Sequence, residues 1–122
     1  MRKIAIPKMQ QNEKKNYKLI GNNLFSSDHK EFYKSEVGPR IESRHVFVRH
    51  VDTKKLNKHS INILEIGFGP GTNFFELLEA LEDKKNKEEF NYFAFEKNPI
   101  DEKTIKKYLN NLNFNKKNIN FF

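Results

Sequence analysis

Cysteine and tryptophan are both absent from this sequence of 122 residues. Without cysteine the chain can form no disulfide, thiolate zinc site or iron–sulfur cluster, and it has no cysteine nucleophile. No apolar run is long enough to cross a bilayer, and the polar residues 10–15 interrupt any apolar core of a signal peptide. No spacing of histidine and carboxylate side chains resembles a metal site. We therefore expect a soluble, cytoplasmic, single-domain protein that binds neither a metal nor a membrane.

Acidic residues are scarce in the first half of the chain. Residues 1–60 contain 14 Lys and Arg against 6 Asp and Glu, whereas residues 61–122 contain 9 Lys against 10 Asp and Glu. The net charge of +7 is therefore concentrated at the N-terminal side, which favours a polyanionic partner such as nucleic acid. An A/T-rich genome would also enrich lysine and asparagine, although it would not explain the asymmetry.

The first sixty residues divide into a polar tail and a segment with a hairpin and a helix. Residues 1–16 are polar and basic with little periodicity, which predicts a disordered basic tail. Within residues 17–60, two short apolar runs flank Gly21-Asn22-Asn23, whose residue types tolerate positive φ and favour a β-hairpin. Pro39 suits the first turn of a helix that extends to about His50. One side of that helix would carry Ile41, Val48 and Val51.

Residues 61–122 have the pattern of an α/β fold. In chain order they predict a strand, a glycine-rich turn, a helix, a second strand and a second helix, at residues 61–66, 67–71, 73–81, 90–95 and 101–112. The first strand is nearly all apolar, which is typical of a parallel strand buried on both faces. Residues 119–122 are expected to begin a third strand. This order predicts the first half of a doubly wound, Rossmann-like sheet.

The helix predicted at residues 73–81 carries two signals. Asn73, followed three residues later by Glu76, resembles a capping box with asparagine in place of serine or threonine. The apolar residues recur at helical spacing and predict the face that packs on the sheet. They are Phe74, Leu77, Leu78 and Leu81.

Three of the five glycines lie in the turn before this helix: Gly67, Gly69 and Gly71. Glycines permit positive φ and let a ligand approach the backbone closely. Glu96 ends the next strand, where a carboxylate can accept hydrogen bonds from the hydroxyls of an adenosine ribose. Glu65 would repel a pyrophosphate and suits a cationic ligand such as S-adenosylmethionine. The alternative is a structural turn, with Glu65 capping it and Glu96 solvated at a strand end.

Three segments resemble one methyltransferase family. NILEIGFGPGTNFFELL (residues 62–78) resembles the E-x-G-F-G-T-G-x-N-x-x-x-x-L stretch of the enzymes that complete 5-methylaminomethyl-2-thiouridine at the tRNA wobble position. These are the MnmC methyltransferase domain and its stand-alone MnmD relatives, and Pro70 replaces their usual threonine. FEKNPI (95–100) is similar to their E-K-x-P-L segment. LFSSDHKEFYKSEVGPRIESRHVFV (24–48) is similar to an upstream signature that ordinary class I methyltransferases lack.

The resemblance implies a class I methyltransferase fold with S-adenosylmethionine as its cofactor. The cofactor-binding residues that it implies are Glu65, Gly67, Phe68, Gly69, Gly71, Asn73, Glu96 and Lys97. It also implies tRNA as the partner, methylated on the amine of 5-aminomethyl-2-thiouridine in the anticodon loop. Candidate substrate contacts are Tyr33, Arg44 and His45.

The resemblance covers only the N-terminal half of the family's domain. The catalytic residues are therefore expected beyond Phe122. The expected partners include a second polypeptide that completes the sheet, or an oxidoreductase that acts earlier in the same modification.

Two other functions stay open from the sequence. The chain could be a catalytically silent remnant that binds an adenosine ligand or RNA, or a methyltransferase for another substrate. At the level of single residues, Tyr33 could equally pack in the core, and His45 could satisfy a helix end.

Overall fold

The computed structural model describes residues 3–5, 16–34, 38–51, 61–82 and 90–120. The strands are β1 (Lys3–Ala5), β2 (Tyr17–Ile20), β3 (Asn23–Ser26), β4 (Glu31–Phe32), β5 (Ile61–Ile66) and β6 (Phe90–Phe95). The α-helices are α1 (Pro39–Val46), α2 (Thr72–Glu82), α3 (Glu102–Asn111) and α4 (Lys116–Ile119), and a 3-10 helix at Val48–His50 follows α1. The strands form one parallel and one antiparallel sheet.

The parallel sheet has the strand order β1-β6-β5. The central strand β6 pairs in parallel with β1 on one side and with β5 on the other. Ile66 lies beside Phe95, so β5 and β6 end at the same edge of the sheet. Both strands were predicted with these bounds, and the parallel pair joined through α2 confirms a mixed α/β fold compatible with part of a Rossmann-like sheet.

One face of the parallel sheet carries the core. The rings of Phe74 and Tyr92 meet edge to face with their centroids 4.9 Å apart, which connects α2 to the central strand. Asp101 caps α3, because its side chain accepts a hydrogen bond from the Thr104 N–H. On this face α2 buries all four residues of its predicted apolar face, and α3 buries three apolar residues. They are Phe74, Leu77, Leu78 and Leu81 of α2 and Ile105, Tyr108 and Leu109 of α3.

The opposite face of the parallel sheet is bare in the part of the chain that the structure describes. Leu64 lies beside Phe93 and Ile66 beside Phe95, and all four side chains are large and apolar. Leu64 is 61% exposed, Ile66 77%, Phe93 51% and Phe95 63%. The prediction that β5 is buried on both faces is therefore wrong, because α2 and α3 belong to the core on the face that carries Tyr92.

The antiparallel sheet is the predicted hairpin extended by a short third strand. Tyr17 of β2 lies opposite Ser26 of β3, Gly21 has φ 60° in the connecting turn, and β4 pairs with β3. The Tyr17 hydroxyl donates to the Asp101 carboxylate at 2.6 Å and accepts from the Asp101 N–H at 2.9 Å. These two bonds dock the antiparallel sheet beside the start of α3.

Several predictions for the N-terminal half need correction. Lys3–Ala5, predicted to be disordered, form β1 because they pair with the exposed edge of β6. Residues 6–15 and 52–60 lie outside the described residues. α1 ends at Val46 instead of His50, where consecutive β-branched and aromatic residues disfavour an α-helix. Ile41 is 64% exposed, since α1 turns Ser43 toward α2 instead.

The C-terminal segment also departs from the prediction. Residues 116–119 form α4 where a third strand was expected to begin, because the Asn115 side chain accepts a hydrogen bond from the Lys117 N–H and caps a helical turn. Ile119 is buried in the core. Among the described strands, β1 takes the third position in the sheet. Residues 83–89 and 121–122 lie outside the described residues.

Candidate functional site

A turn with three left-handed glycines joins β5 to α2. Gly67, Gly69 and Gly71 have φ of 83°, 55° and 83°, a region that favours glycine. The Phe95 carbonyl accepts a hydrogen bond from the Gly67 N–H at 2.7 Å, so the turn is bonded to the end of β6. The predicted strand–turn–helix arrangement is confirmed. It brings backbone N–H groups and the start of a helix to the carboxyl edge of two parallel strands.

Two of these glycines lie against aromatic rings. A Cβ atom at Gly71 would lie 2.8 Å from the ring of Phe68, which is itself buried and belongs to the core. A Cβ atom at Gly69 would lie 3.3 Å from Cδ1 of Tyr33. Burial, with a smaller effect of the Glu96 carboxylate, raises the pKa of Tyr33. Tyr33 therefore reaches the glycine turn from the antiparallel sheet.

Glu96 is bonded directly to the glycine turn. One carboxylate oxygen accepts a hydrogen bond from the Gly69 N–H at 2.8 Å, and the other accepts from the Asn98 N–H at 3.0 Å. The prediction that β6 ends beside the turn is thus confirmed. Because a carboxylate has about four lone-pair positions, Glu96 can still accept hydrogen bonds from a ligand. The neighbouring Lys97 is exposed.

Glu65 is a buried carboxylate under the turn, only 7% exposed. Its Oε2 accepts a hydrogen bond from the Asn73 side-chain amide at 2.7 Å. The Tyr92 hydroxyl interacts with this carboxyl group, yet neither Glu65 Oε1 nor the Tyr92 oxygen has a partner of good hydrogen-bond geometry among the described residues. Burial raises the pKa of Glu65. A buried acid whose hydrogen-bonding neighbours are uncharged fits a cationic ligand group.

The predicted capping box is wrong. α2 begins at Thr72, and the Asn73 side chain bonds to Lys34, Ser43 and Glu65 instead of capping the helix. The Glu76 carboxylate accepts from arginines of α1. Both side chains therefore make tertiary bonds, which outweigh the local capping that their spacing indicated.

Comparison with known proteins gives the same relationship as the sequence motifs. No family model matches the chain. Over 97 residues, or 80% of its length, the chain is 30% identical to the "tRNA 5-methylaminomethyl-2-thiouridine biosynthesis bifunctional protein MnmC" of Campylobacter concisus (strain 13826). The MnmC protein of Campylobacter hominis is 29% identical over 97 residues. The chain is related to MnmC. It spans about 15% of the length of these curated relatives.

The upstream segment that resembles MnmC contacts the glycine turn at one point and the first turn of α2 at another. Tyr33 packs over Gly69, and the buried Ser43 hydroxyl donates to Asn73 Oδ1 at 2.7 Å. The MnmC-like upstream segment and the MnmC-like turn, which lie apart in the sequence, therefore form one structural unit.

Two of the predicted substrate contacts lie elsewhere. Arg44 and His45 line a groove of about 690 Å³ between α1, the 3-10 helix and α2, and no residue of the glycine turn lines it. Arg44 pairs with the buried Glu76, and His45 Nδ1 lies 3.3 Å from the exposed Arg49 guanidinium. The structure thus brings Tyr33 to the glycine turn but not Arg44 or His45.

Sequence reasoning missed Arg40, which links three elements. Its guanidinium pairs with Glu76 at 2.8 Å and with Glu79, both on α2. It also lies over the Phe114 ring, 4.0 Å from the centroid. A carboxylate at residue 76 inside an otherwise apolar helix face was the available signal that a basic partner must lie opposite.

The described ranges contain neither a candidate membrane-spanning helix nor a candidate metal site. None of the helices there is long and apolar enough to span a membrane. No group of three or more His, Asp and Glu side chains in those ranges is arranged to hold a metal ion.

Proposed function

We propose that the chain carries the S-adenosylmethionine site of an MnmC-like tRNA methyltransferase. The observation that supports this most is the 2.8 Å hydrogen bond from the Gly69 N–H to the Glu96 carboxylate. It joins Glu96, the acid that follows β6, to the glycine turn that follows the neighbouring parallel strand, β5. This edge is where doubly wound α/β proteins bind nucleosides.

The acidic residues fit the two ends of this ligand. The free lone pairs of Glu96 are suited to the ribose hydroxyls. Glu65 is suited to the cationic amino-acid end, because it is a buried carboxylate beneath the turn whose hydrogen-bonding neighbours, Asn73 and Tyr92, are uncharged. The ligand itself supplies an activated methyl group on a sulfonium. The proposed cofactor contacts are Gly67, Gly69 and Gly71 of the turn, Asn73 of α2 and Lys97 after β6, whereas Phe68 supports the turn from the core.

The proposed substrate is 5-aminomethyl-2-thiouridine in the anticodon loop of tRNA. Support comes from the name of the MnmC relatives and from the excess of basic residues in residues 1–60. A base in a single-stranded loop can leave the stack at low cost and enter a pocket. We assign Tyr33 to the wall of this pocket and Arg44 and His45 to backbone contacts outside it. This activity would be cytoplasmic.

Calorimetric titration with S-adenosylmethionine tests this proposal. In Glu96→Ala the loss of hydrogen bonds to a charged acceptor should weaken binding about tenfold to a hundredfold. Glu102→Ala, which removes an exposed glutamate of α3, should bind like the unmodified chain. Equal affinity in all three proteins would exclude the Glu96 site. Transfer of labelled methyl to tRNA that lacks the final methyl group tests the substrate.

A further inference from the structure

The Asn73 side chain lies where the N-terminal segment meets the glycine turn. Its Oδ1 accepts hydrogen bonds from the Ser43 hydroxyl at 2.7 Å and from the Lys34 ammonium at 3.1 Å. Its Nδ2 donates to Glu65 Oε2 at 2.7 Å. Ser43 is completely buried and Glu65 is 7% exposed, so water competes little for these bonds.

The two ends of an amide group are chemically different, and the donors fix which end faces Glu65. An ammonium group can only donate, so Lys34 requires the oxygen of Asn73 on its side. The NH₂ group must then face the carboxylate. In the reverse orientation the amide oxygen would face an acceptor and the NH₂ group would face a cation.

We propose that Ser43 and Lys34 are positioning residues that orient the Asn73 amide and, through it, hold the Glu65 carboxylate in place beneath the glycine turn. The relay consists of Ser43, Lys34, Asn73 and Glu65. That Glu65 then meets a ligand rests on the proposed function, whereas the relay itself does not. The N-terminal segment would thus determine the protonation state of Glu65, the acid beneath the glycine turn.

The titration of Glu65 in the ligand-free chain tests the relay. The groups that face Glu65 are Asn73 from α2, Tyr92 from β6, and the charges of Lys34 and Glu96. Carbon-13 NMR can follow the side-chain carboxyl, with Glu65→Gln identifying its signal. Ser43→Ala changes no charge, so any shift must come through Asn73. We expect the Glu65 midpoint to rise by roughly one pH unit, the shift for one weakened hydrogen bond to a carboxylate.

The matched control is Ser26→Ala. Ser26 is also buried, but its hydroxyl accepts from the His29 N–H at 3.2 Å and is not part of the relay. The control should leave the Glu65 midpoint unchanged. A midpoint that is the same in Ser43→Ala and Ser26→Ala would overturn the relay.

Lys34 provides a second test if Ser43→Ala does not fold. Lys34→Met removes both the charge and the donor, whereas Lys34→Gln removes the charge and keeps an N–H donor. If the relay operates, Lys34→Gln should retain a Glu65 midpoint lower than that of Lys34→Met. Equal midpoints in the two variants would mean that Lys34 acts by charge alone and would contradict the relay.

Titration with S-adenosylmethionine separates the relay from the proposed function. Where the unmodified chain binds the ligand, Ser43→Ala should weaken binding about threefold to tenfold, with a larger loss at low pH. A chain that does not bind at all contradicts the proposed function, and the ligand-free titration of Glu65 still decides the relay.

Discussion

Glu65 and Glu96 have the same side chain but opposite surroundings. Glu65 is buried with one amide donor, while Glu96 is half-buried and accepts two backbone N–H bonds. Their positions at strand ends could be predicted from apolar runs and the spacing to the glycine turn. Their partners could not be predicted, because those partners depend on elements distant in the sequence.

The raised pKa of Glu65 predicts how stability depends on pH. Its pKa lies above the ordinary value of 4.5, mainly because of burial. Between 4.5 and the raised value, the folded chain holds a proton that the unfolded chain has released. This contribution to stability is therefore present in full below about pH 4.5 and is lost as pH rises through the folded pKa.

Urea unfolding of Glu65→Gln across pH 4 to about 8 measures this contribution. The free energy of unfolding of the variant, relative to the unmodified chain, should increase with pH. Glu102→Gln, the exposed control, should change the free energy of unfolding by no more than about 0.5 kcal/mol, the contribution of its surface ion pair with Lys106. Parallel curves for Glu65→Gln and the unmodified chain would show that Glu65 has an ordinary pKa.

Asn73 illustrates why local patterns fail for single residues. Its spacing to Glu76 fits a capping box, and Asn is a favoured capping residue. Donors from Lys34 and Ser43, separated from it by 39 and 30 residues, engage the side chain instead. A sequence window of one helical turn contains no information about those donors.

At the scale of elements, the presence of a helix was easier to predict from the sequence than the direction in which its faces point. α2 and α3 were predicted well because the apolar residues that form their buried faces recur at helical spacing. The orientation of α1 was mispredicted, since Ile41 is exposed and Ser43 is buried. Polar groups decide that orientation: Arg40, Ser43 and Arg44 all bond to α2.

The pairing of α1 with α2 should depend on Arg40. Glu76 is almost fully buried, so Arg40→Ala would leave it with less compensation for its charge, and the contact with the Phe114 ring would also be lost. We expect a loss of about 3 kcal/mol in the free energy of unfolding by urea. Arg44 still pairs with Glu76, which keeps the loss from being larger.

Arg49→Ala is the matched control for Arg40→Ala. Arg49 lies exposed on the 3-10 helix and pairs with none of the α2 carboxylates described. It should change the free energy of unfolding by less than about 0.5 kcal/mol. Equal losses in the two arginine variants would contradict the role of the Arg40 cluster.

At the scale of the whole molecule, the main contrast is in burial: one face of the parallel sheet carries the core and the other is exposed. The continuous apolar run of β5 predicted burial on both faces, yet one face is bare in the described ranges. An apolar sequence indicates that a face should be covered but does not identify what covers it.

The bare face should make the chain self-associate. Leu64→Thr combined with Phe93→Thr keeps residues that suit strands and removes two apolar neighbours. Light scattering should then show smaller species, with the free energy of unfolding within about 1 kcal/mol of the unmodified chain. Leu77→Thr, on the buried side, should instead lose about 2–4 kcal/mol. Unchanged scattering in the double variant would exclude this face as the associating surface.

The claim that the glycine turn is the cofactor site is tested most directly by comparing two glycines of similar backbone geometry. Gly69 has φ 55° at the turn, and Gly21 has φ 60° in the hairpin, so alanine at either position meets similar backbone strain. Only at Gly69 would the added Cβ also approach another side chain, the Tyr33 ring at 3.3 Å. In calorimetric titrations with S-adenosylmethionine, Gly21→Ala should bind like the unmodified chain, whereas Gly69→Ala should bind at least about tenfold more weakly, a loss of about 1.4 kcal/mol. No binding by the unmodified chain, or equal affinity in the two variants, would contradict the account.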